Sequence, residues 1–126
     1  AAIHHRYFTH KDMVLEESRD LFEILTNPRH VVSFLLISVL PLTVLLSLFS
    51  WTVAMLFAAT AISYYLFYEW THLASHLPDE HWLPSLPIMR SLCNHHRVHH
   101  NTRLMREYNF NIAFPIFDWV FGTLHP

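Results

Sequence analysis

Nine of the twelve histidines fall in three short stretches. "IHHRYFTH" carries His4, His5 and His10, "EWTHLASH" carries His72 and His76, and "NHHRVHHN" carries His95, His96, His99 and His100. On a helix, His72 and His76 stand at i and i+4 and share a face. His96, His99 and His100 share another at i, i+3 and i+4, and His95 and His99 form a further pair. Neutral imidazoles gathered in one place suit iron, zinc, copper or nickel. Calcium and magnesium would ask for oxygen ligands instead. Cys93 is the one cysteine, so neither a thiolate site, an iron–sulfur cluster nor an internal disulfide is expected. His30, His81 and His125 stand alone and read as ordinary hydrogen-bonded residues. The run of residues 95–100 is internal and broken by Arg97 and Val98, which excludes an affinity tag.

The elements that must position these histidines are apolar. The 126 residues are 52% hydrophobic and only 14% charged, well below a typical soluble domain. From Val31 to Tyr68 there is no Asp, Glu, Lys, Arg or His. That run is long enough for about two membrane spans, each needing roughly 20 apolar residues. A chain this short has too few other residues to bury two helices that are apolar all round, which disfavours a soluble core hairpin. Ser47 and Ser50, next to Trp51, mark the turn between the spans. Pro41 falls inside the first span, where a membrane helix tolerates it with a kink. The eight Lys and Arg residues all lie outside the apolar run. The positive-inside rule therefore places both termini, and with them all the histidine clusters, on the cytoplasmic side. The net charge of −2 argues against a nucleic-acid surface. The first residues, "AAIHHRYFTHKDM", lack the apolar core of a signal peptide.

The expected fold class is all-α: an integral membrane helical hairpin of two transmembrane helices with a cytoplasmic, histidine-rich helical cap. One membrane domain covers residues 1–126, with a cytoplasmic or interfacial segment at 1–30, the hairpin at 31–70 and the cap at 71–126. Residues 12–26 read as an amphipathic helix at the membrane surface, ended by Asn27-Pro28. Residues 77–87, with three prolines, read as a loop anchored at the interface by Trp82. Residues 88–107 read as helix, and the aromatic, Pro-broken C-terminus as a segment packed at the interface.

Taken together, the motifs resemble the fatty acid hydroxylase / sterol desaturase superfamily of membrane di-metal oxygenases. His72-x3-His76 resembles its H-x3-H box, and His96-x2-His99-His100 its last H-x2-HH box. "NFN" at 109–111 stands where the family has an N-Y-G-like element, and "FDWVFGT" at 117–123 where it has "wDrlFGT". The order and spacing agree through the whole C-terminal half. His4 and His5 fall where the HH of an earlier box belongs, but Ala1 takes the place of that box's first histidine. A still earlier H-x3-4-H box is absent. The chain is therefore expected to be truncated, or naturally short, at its N-terminus.

The resemblance implies two iron ions, with zinc possible in purified material, held by His4, His5, His72, His76, His96, His99 and His100. His10, His95, Glu69, Asn101, Asn109 and Asp118 are implied as further ligands or as groups that orient the imidazoles. It implies O2-dependent hydroxylation or desaturation of a lipid C–H bond, with electrons from a ferredoxin or cytochrome. The lipid substrate and the surrounding membrane lipids are the small-molecule partners. A second reading stays open: a non-catalytic subunit of a larger membrane complex that keeps the hydroxylase-like fold. Bis-histidine haem is disfavoured because neither span contains a histidine, and a zinc hydrolase because no H-E-x-x-H occurs.

Overall fold

The structure, a computed structural model, describes residues 4–125. Among these the chain is helical and forms no strand, only an isolated antiparallel bridge between Thr9 and Asp12. Helices run at His4–Tyr7 (α1), Leu21–Ile24 (α2), Pro28–Phe34 (α3), Leu40–Ser47 (α4), Trp51–Ala74 (α5), Trp82–Ser85 (α6), Pro87–His99 (α7) and Ile116–Val120 (α8). The chain divides into two compact units, one of residues 26–67 and the other of residues 1–25 with 68–126.

The 26–67 unit is built from the apolar run. Asn27 opens α3 by accepting the Arg29 N–H at 3.0 Å, and Pro28 takes the first helical position, where its missing N–H costs nothing. A π-helical turn, Leu35–Val39, joins α3 to α4. It lies just before Pro41, whose ring and absent N–H prevent a regular α-helical bond back to residue 37. The Thr43 hydroxyl donates to the Val39 carbonyl at 2.7 Å, adding a bond where the ladder is disturbed. The expected kink at Pro41 thus takes the form of a widened turn. Helix α4 ends at Ser47, a turn follows, and α5 begins at Trp51. Phe34 faces Tyr65 with ring centroids 6.1 Å apart.

Two helical segments are long and apolar enough to cross a membrane, with mean hydropathy of 2.2 and 1.3 in their most apolar windows. Only 6% of each window is buried. Leu36, Ile37, Leu48 and Phe49 all point outward. A soluble core helix would hide such side chains, so this surface is suited to hydrocarbon. The chain is membrane-associated.

The other unit carries the histidines. Ala74, Leu83 and Met89 form its small apolar core, with Leu77 and Cys93 packed against it. The His81 ring accepts the Leu83 N–H at 3.2 Å and so caps α6, inside the stretch expected to be loop throughout. Pro87 starts α7, whose inner face carries Met89, Leu92, His95 and His96.

Two expected helices are shorter in the structure. Over 12–26 only a 3-10 turn at Ser18–Asp20 and α2 form. The buried Asp20 carboxylate accepts the N–H groups of Glu16 and Glu17 and the Tyr7 hydroxyl, which holds residues 13–17 in an irregular course. The helix expected to 107 ends at His99. There Asn101 accepts the Arg103 N–H at 3.1 Å and turns the chain, the ordinary competition of an Asn side chain with a helix.

Candidate metal centre

Five buried histidines meet at one point. His4 comes from α1, His72 from the end of α5, His76 from the turn after it, and His96 and His100 from α7 and its C-terminus. One ring nitrogen from each lies within 4.8 Å of all the others. His76, His96 and His100 are wholly enclosed. The i, i+4 spacing places His96 and His100 on one helical face, with their Nε2 atoms 3.0 Å apart. His4 Nε2 lies 3.2 Å from His100 Nε2 and 3.1 Å from His72 Nε2, and His96 Nε2 lies 3.4 Å from His76 Nε2.

The outward nitrogens explain the inward ones. His4 Nδ1 donates to the Glu23 carbonyl at 2.8 Å, His76 Nδ1 to the Met13 carbonyl at 2.7 Å and His100 Nδ1 to the Phe8 carbonyl at 2.7 Å. The Ile24 carbonyl faces His72. A carbonyl can only accept, so these Nδ1 atoms carry the proton. A neutral imidazole then presents a bare Nε2 lone pair. Lone pairs crowded 3.0–3.4 Å apart repel one another unless a cation or a proton sits among them. Those separations also match neighbouring ligands around one ion at a bond length of about 2.1 Å. Carbonyl partners that fix tautomer and ring orientation are the usual supporting shell of a histidine metal site.

Protons are poor occupants here. Burial pushes His76 down to about 4 and His100 to about 3, against the pull of their carbonyl partners, and holds His96 well below the ordinary value. His5 falls to about 4, through burial and then the nearby His99. The rings are therefore neutral at physiological pH, the form that binds metal. One outcome concerns the metal-free protein. An unfolded histidine titrates near 6.5, so below that pH the unfolded chain binds protons that the folded chain refuses. Stability is full above about pH 6.5 and is lost as pH falls toward the folded values. Thermal unfolding in detergent at pH 7.5 and 5.5 will show a lower midpoint at 5.5, with net proton uptake on unfolding.

His5 and His99 stand beside the five. Their ring centroids are 4.9 Å apart, and His5 stacks on His100 at 4.4 Å. The Nδ1 atoms of His5 and His96 are buried and make no hydrogen bond among the described residues, while the His99 ring faces the Asn109 main chain. His95 turns elsewhere, with Nε2 at 3.4 Å from the Asp118 carboxylate. His10 lies in the turn closed by the Thr9–Asp12 bridge and is not one of the five. Glu69 lies on α5, half-buried, three residues before His72. Asn101 shapes the exit from α7, as described above.

Asn109 and Asp118 form a joint behind α7. Asn109 adopts a left-handed backbone, φ 53°, which Asn tolerates better than most residues. Its Nδ2 donates to the His95 carbonyl at 3.1 Å, and its Oδ1 accepts the His125 N–H at 2.9 Å. The buried Asp118 carboxylate accepts the Phe110 and Asn111 N–H groups and the Thr123 hydroxyl, at 2.9, 2.8 and 2.8 Å. Burial alone would raise its pKa, but these bonds together outweigh burial and leave it below the usual carboxylate range. Neither the carbonyls of Phe8, Met13 and Glu23 nor the Asp20 anchor was foreseen from sequence. Main-chain groups have no residue signature, and Asp20 looked like one more acid on an amphipathic helix.

A helical, membrane-associated chain with a buried imidazole cage suited to a transition metal is the class these features define. The model of one family, described as fatty acid hydroxylase, matches residues 2–123, and the chain belongs to that family. No curated protein and no solved structure matches it. The family points to lipid hydroxylase- or desaturase-like function, and the buried histidine cluster is compatible with a metal site.

Proposed function

We propose that this chain is a non-haem iron oxygenase that hydroxylates or desaturates a lipid C–H bond at the membrane surface. The observation that carries this reading is the convergence of five Nε2-bearing rings at one buried point in a chain of the fatty acid hydroxylase family. His4, His72, His76, His96 and His100 would hold one ion, and His5 and His99, whose rings stand 4.9 Å apart beside the five, would contribute to a second. Zinc fits the same donors and is the expected contaminant of purified material. When bound, iron supplies O2 activation, which for hydroxylation inserts one oxygen atom into C–H and releases the other as water at the expense of two electrons and two protons. A ferredoxin or cytochrome would supply the electrons.

The chain's own residues do the rest. The Phe8, Met13 and Glu23 carbonyls hold three rings with their lone pairs inward. Enclosure of His76, His96 and His100 keeps bulk water from the reacting centre. Asp118 and Asn109 brace α7 from behind. The proposed topology is a hairpin with both termini and the histidine cap on the cytoplasmic side, supported by the absence of Lys and Arg between residues 31 and 68.

The test is metal content per chain, by elemental mass spectrometry on protein purified without added metal or metal-affinity resin. About two iron or zinc per chain, lost in the His72→Ala, His99→Ala double variant, is the expected result. Absent or trace metal would overturn it and favour a structural subunit that keeps the fold without turnover.

A further inference from the structure

A second polar site lies away from the histidines, between α6 and α7. Arg90, Asn94 and Arg97 stand at i, i+4 and i+7, one face of α7, while Met89, Leu92 and His96 occupy the inner face. With Ser85 and Asp79 they line a pocket of about 260 Å³. The guanidinium of Arg90 has no ion-pair or hydrogen-bond partner among the described residues. Arg97 meets Asp79 at only 3.5 Å, and both side chains are largely in solvent, 47% and 80% exposed. An exposed pair of that length contributes little and leaves Arg97 able to turn to another anion. Two guanidinium groups and an amide around one small cavity form a donor set that recognises a phosphate, while Ser85 donates its hydroxyl hydrogen to the Trp82 carbonyl.

The same corner is also apolar. Trp82 and Leu86 are 63% and 46% exposed, within three residues of the pocket-lining Ser85. A free phosphate would satisfy the arginines and leave these two side chains in water. A lipid phosphate would satisfy both, its headgroup meeting the arginines and its acyl chains meeting Trp82 and Leu86 on the α6 side of the pocket. We infer that the α6–α7 pocket binds the phosphate headgroup of an anionic membrane lipid, with Trp82 and Leu86 seated in the adjoining acyl region. This site is separate from the proposed metal centre, and it rests on the membrane reading of the chain.

The experiment is native mass spectrometry of the full chain released from detergent, titrated with phosphatidic acid, with net-neutral phosphatidylcholine, and with inorganic phosphate. Wild-type protein should bind phosphatidic acid at least 10-fold more tightly than phosphatidylcholine. The Arg90→Gln, Arg97→Gln double variant should remove that preference, leaving phosphatidylcholine binding and metal content unchanged. Arg103→Gln with Arg106→Gln, which removes equal charge outside the pocket, should leave the preference intact. Equal binding of the two lipids, or a preference that survives the double variant, overturns the headgroup site while leaving the membrane reading standing. Inorganic phosphate that binds the pocket as tightly as phosphatidic acid overturns the lipid assignment in favour of a free-anion site. A chain that binds neither lipid and stays monodisperse without detergent overturns the membrane reading itself.

Discussion

His96→Ala should lower the metal affinity of the chain by roughly 100-fold. Tetrahedral histidine- and cysteine-ligated sites hold zinc with about 10–16 kcal/mol, or roughly 3 kcal/mol per ligand, and 1.4 kcal/mol is a factor of ten. His96 is the cleanest of the proposed ligands to remove. Its Nε2 faces His100 and His76, yet its Nδ1 makes no hydrogen bond that the substitution would break. The metal-free variant should therefore melt within a few degrees of wild type, since one fewer crowded lone pair offsets part of the cavity left behind. His100→Ala should weaken metal to a similar degree but also destabilise the metal-free protein, because it strands the Phe8 carbonyl. Competition with a chelating dye reads the affinity, and thermal unfolding of chelator-treated protein reads the stability. Equal affinity in wild type and His96→Ala would remove His96 from the ligand set.

The helical spacings made much of this legible in advance. His96 and His100 converge because a period near 3.6 puts residues four apart on one face, whereas α5 ends at Ala74 and His76 reaches His72's neighbourhood through the turn that follows, where its N–H bonds the Leu73 carbonyl. His4 is different. No local rule joins it to residues some 70 and 90 positions later; the charge pattern that puts all three clusters on one side, and the resemblance to a known box order, suggested it. The reading of 12–26 as one helix failed for a related reason. Its apolar and acidic residues alternate as a surface helix requires, but Met13 spends its carbonyl on His76, Leu15 spends its N–H on the His76 carbonyl, and Asp20 takes two N–H groups that a helix would have used. Long-range demand on the backbone overrode local propensity. Asn101 likewise stopped α7 early through a side-chain bond that composition alone does not announce.

Asp118→Ala should cost about 3–5 kcal/mol, a large share of the stability of a small chain. The substitution leaves the part-buried Phe110 and Asn111 N–H groups without their acceptor, leaves the Thr123 hydroxyl only its long bond to the Asp118 main-chain carbonyl, and removes the negative charge opposite His95. Each stranded buried donor costs on the order of 1–3 kcal/mol. Asp118→Asn should lose less, because its remaining oxygen still accepts from one side of the joint. The order wild type, Asn, Ala in thermal midpoint is the expected result, and metal content should follow it, since the joint braces the helix that carries His96 and His99. An Ala variant as stable as wild type would show that water replaces the carboxylate without loss.

The carbonyls of Phe8, Met13 and Glu23 that orient three of the rings have a consequence for how the protein tolerates change. A peptide carbonyl is present whatever side chain its residue bears. Glu23 is exposed, so nearly any residue could stand there and still hold His4 in place. What these positions encode is spacing. One residue inserted or deleted between Phe8 and Met13 moves a carbonyl out of reach and frees a ring to turn, although every histidine remains. A scan of single-residue insertions and deletions over positions 8–24 should therefore find a vulnerable stretch that a substitution scan passes over.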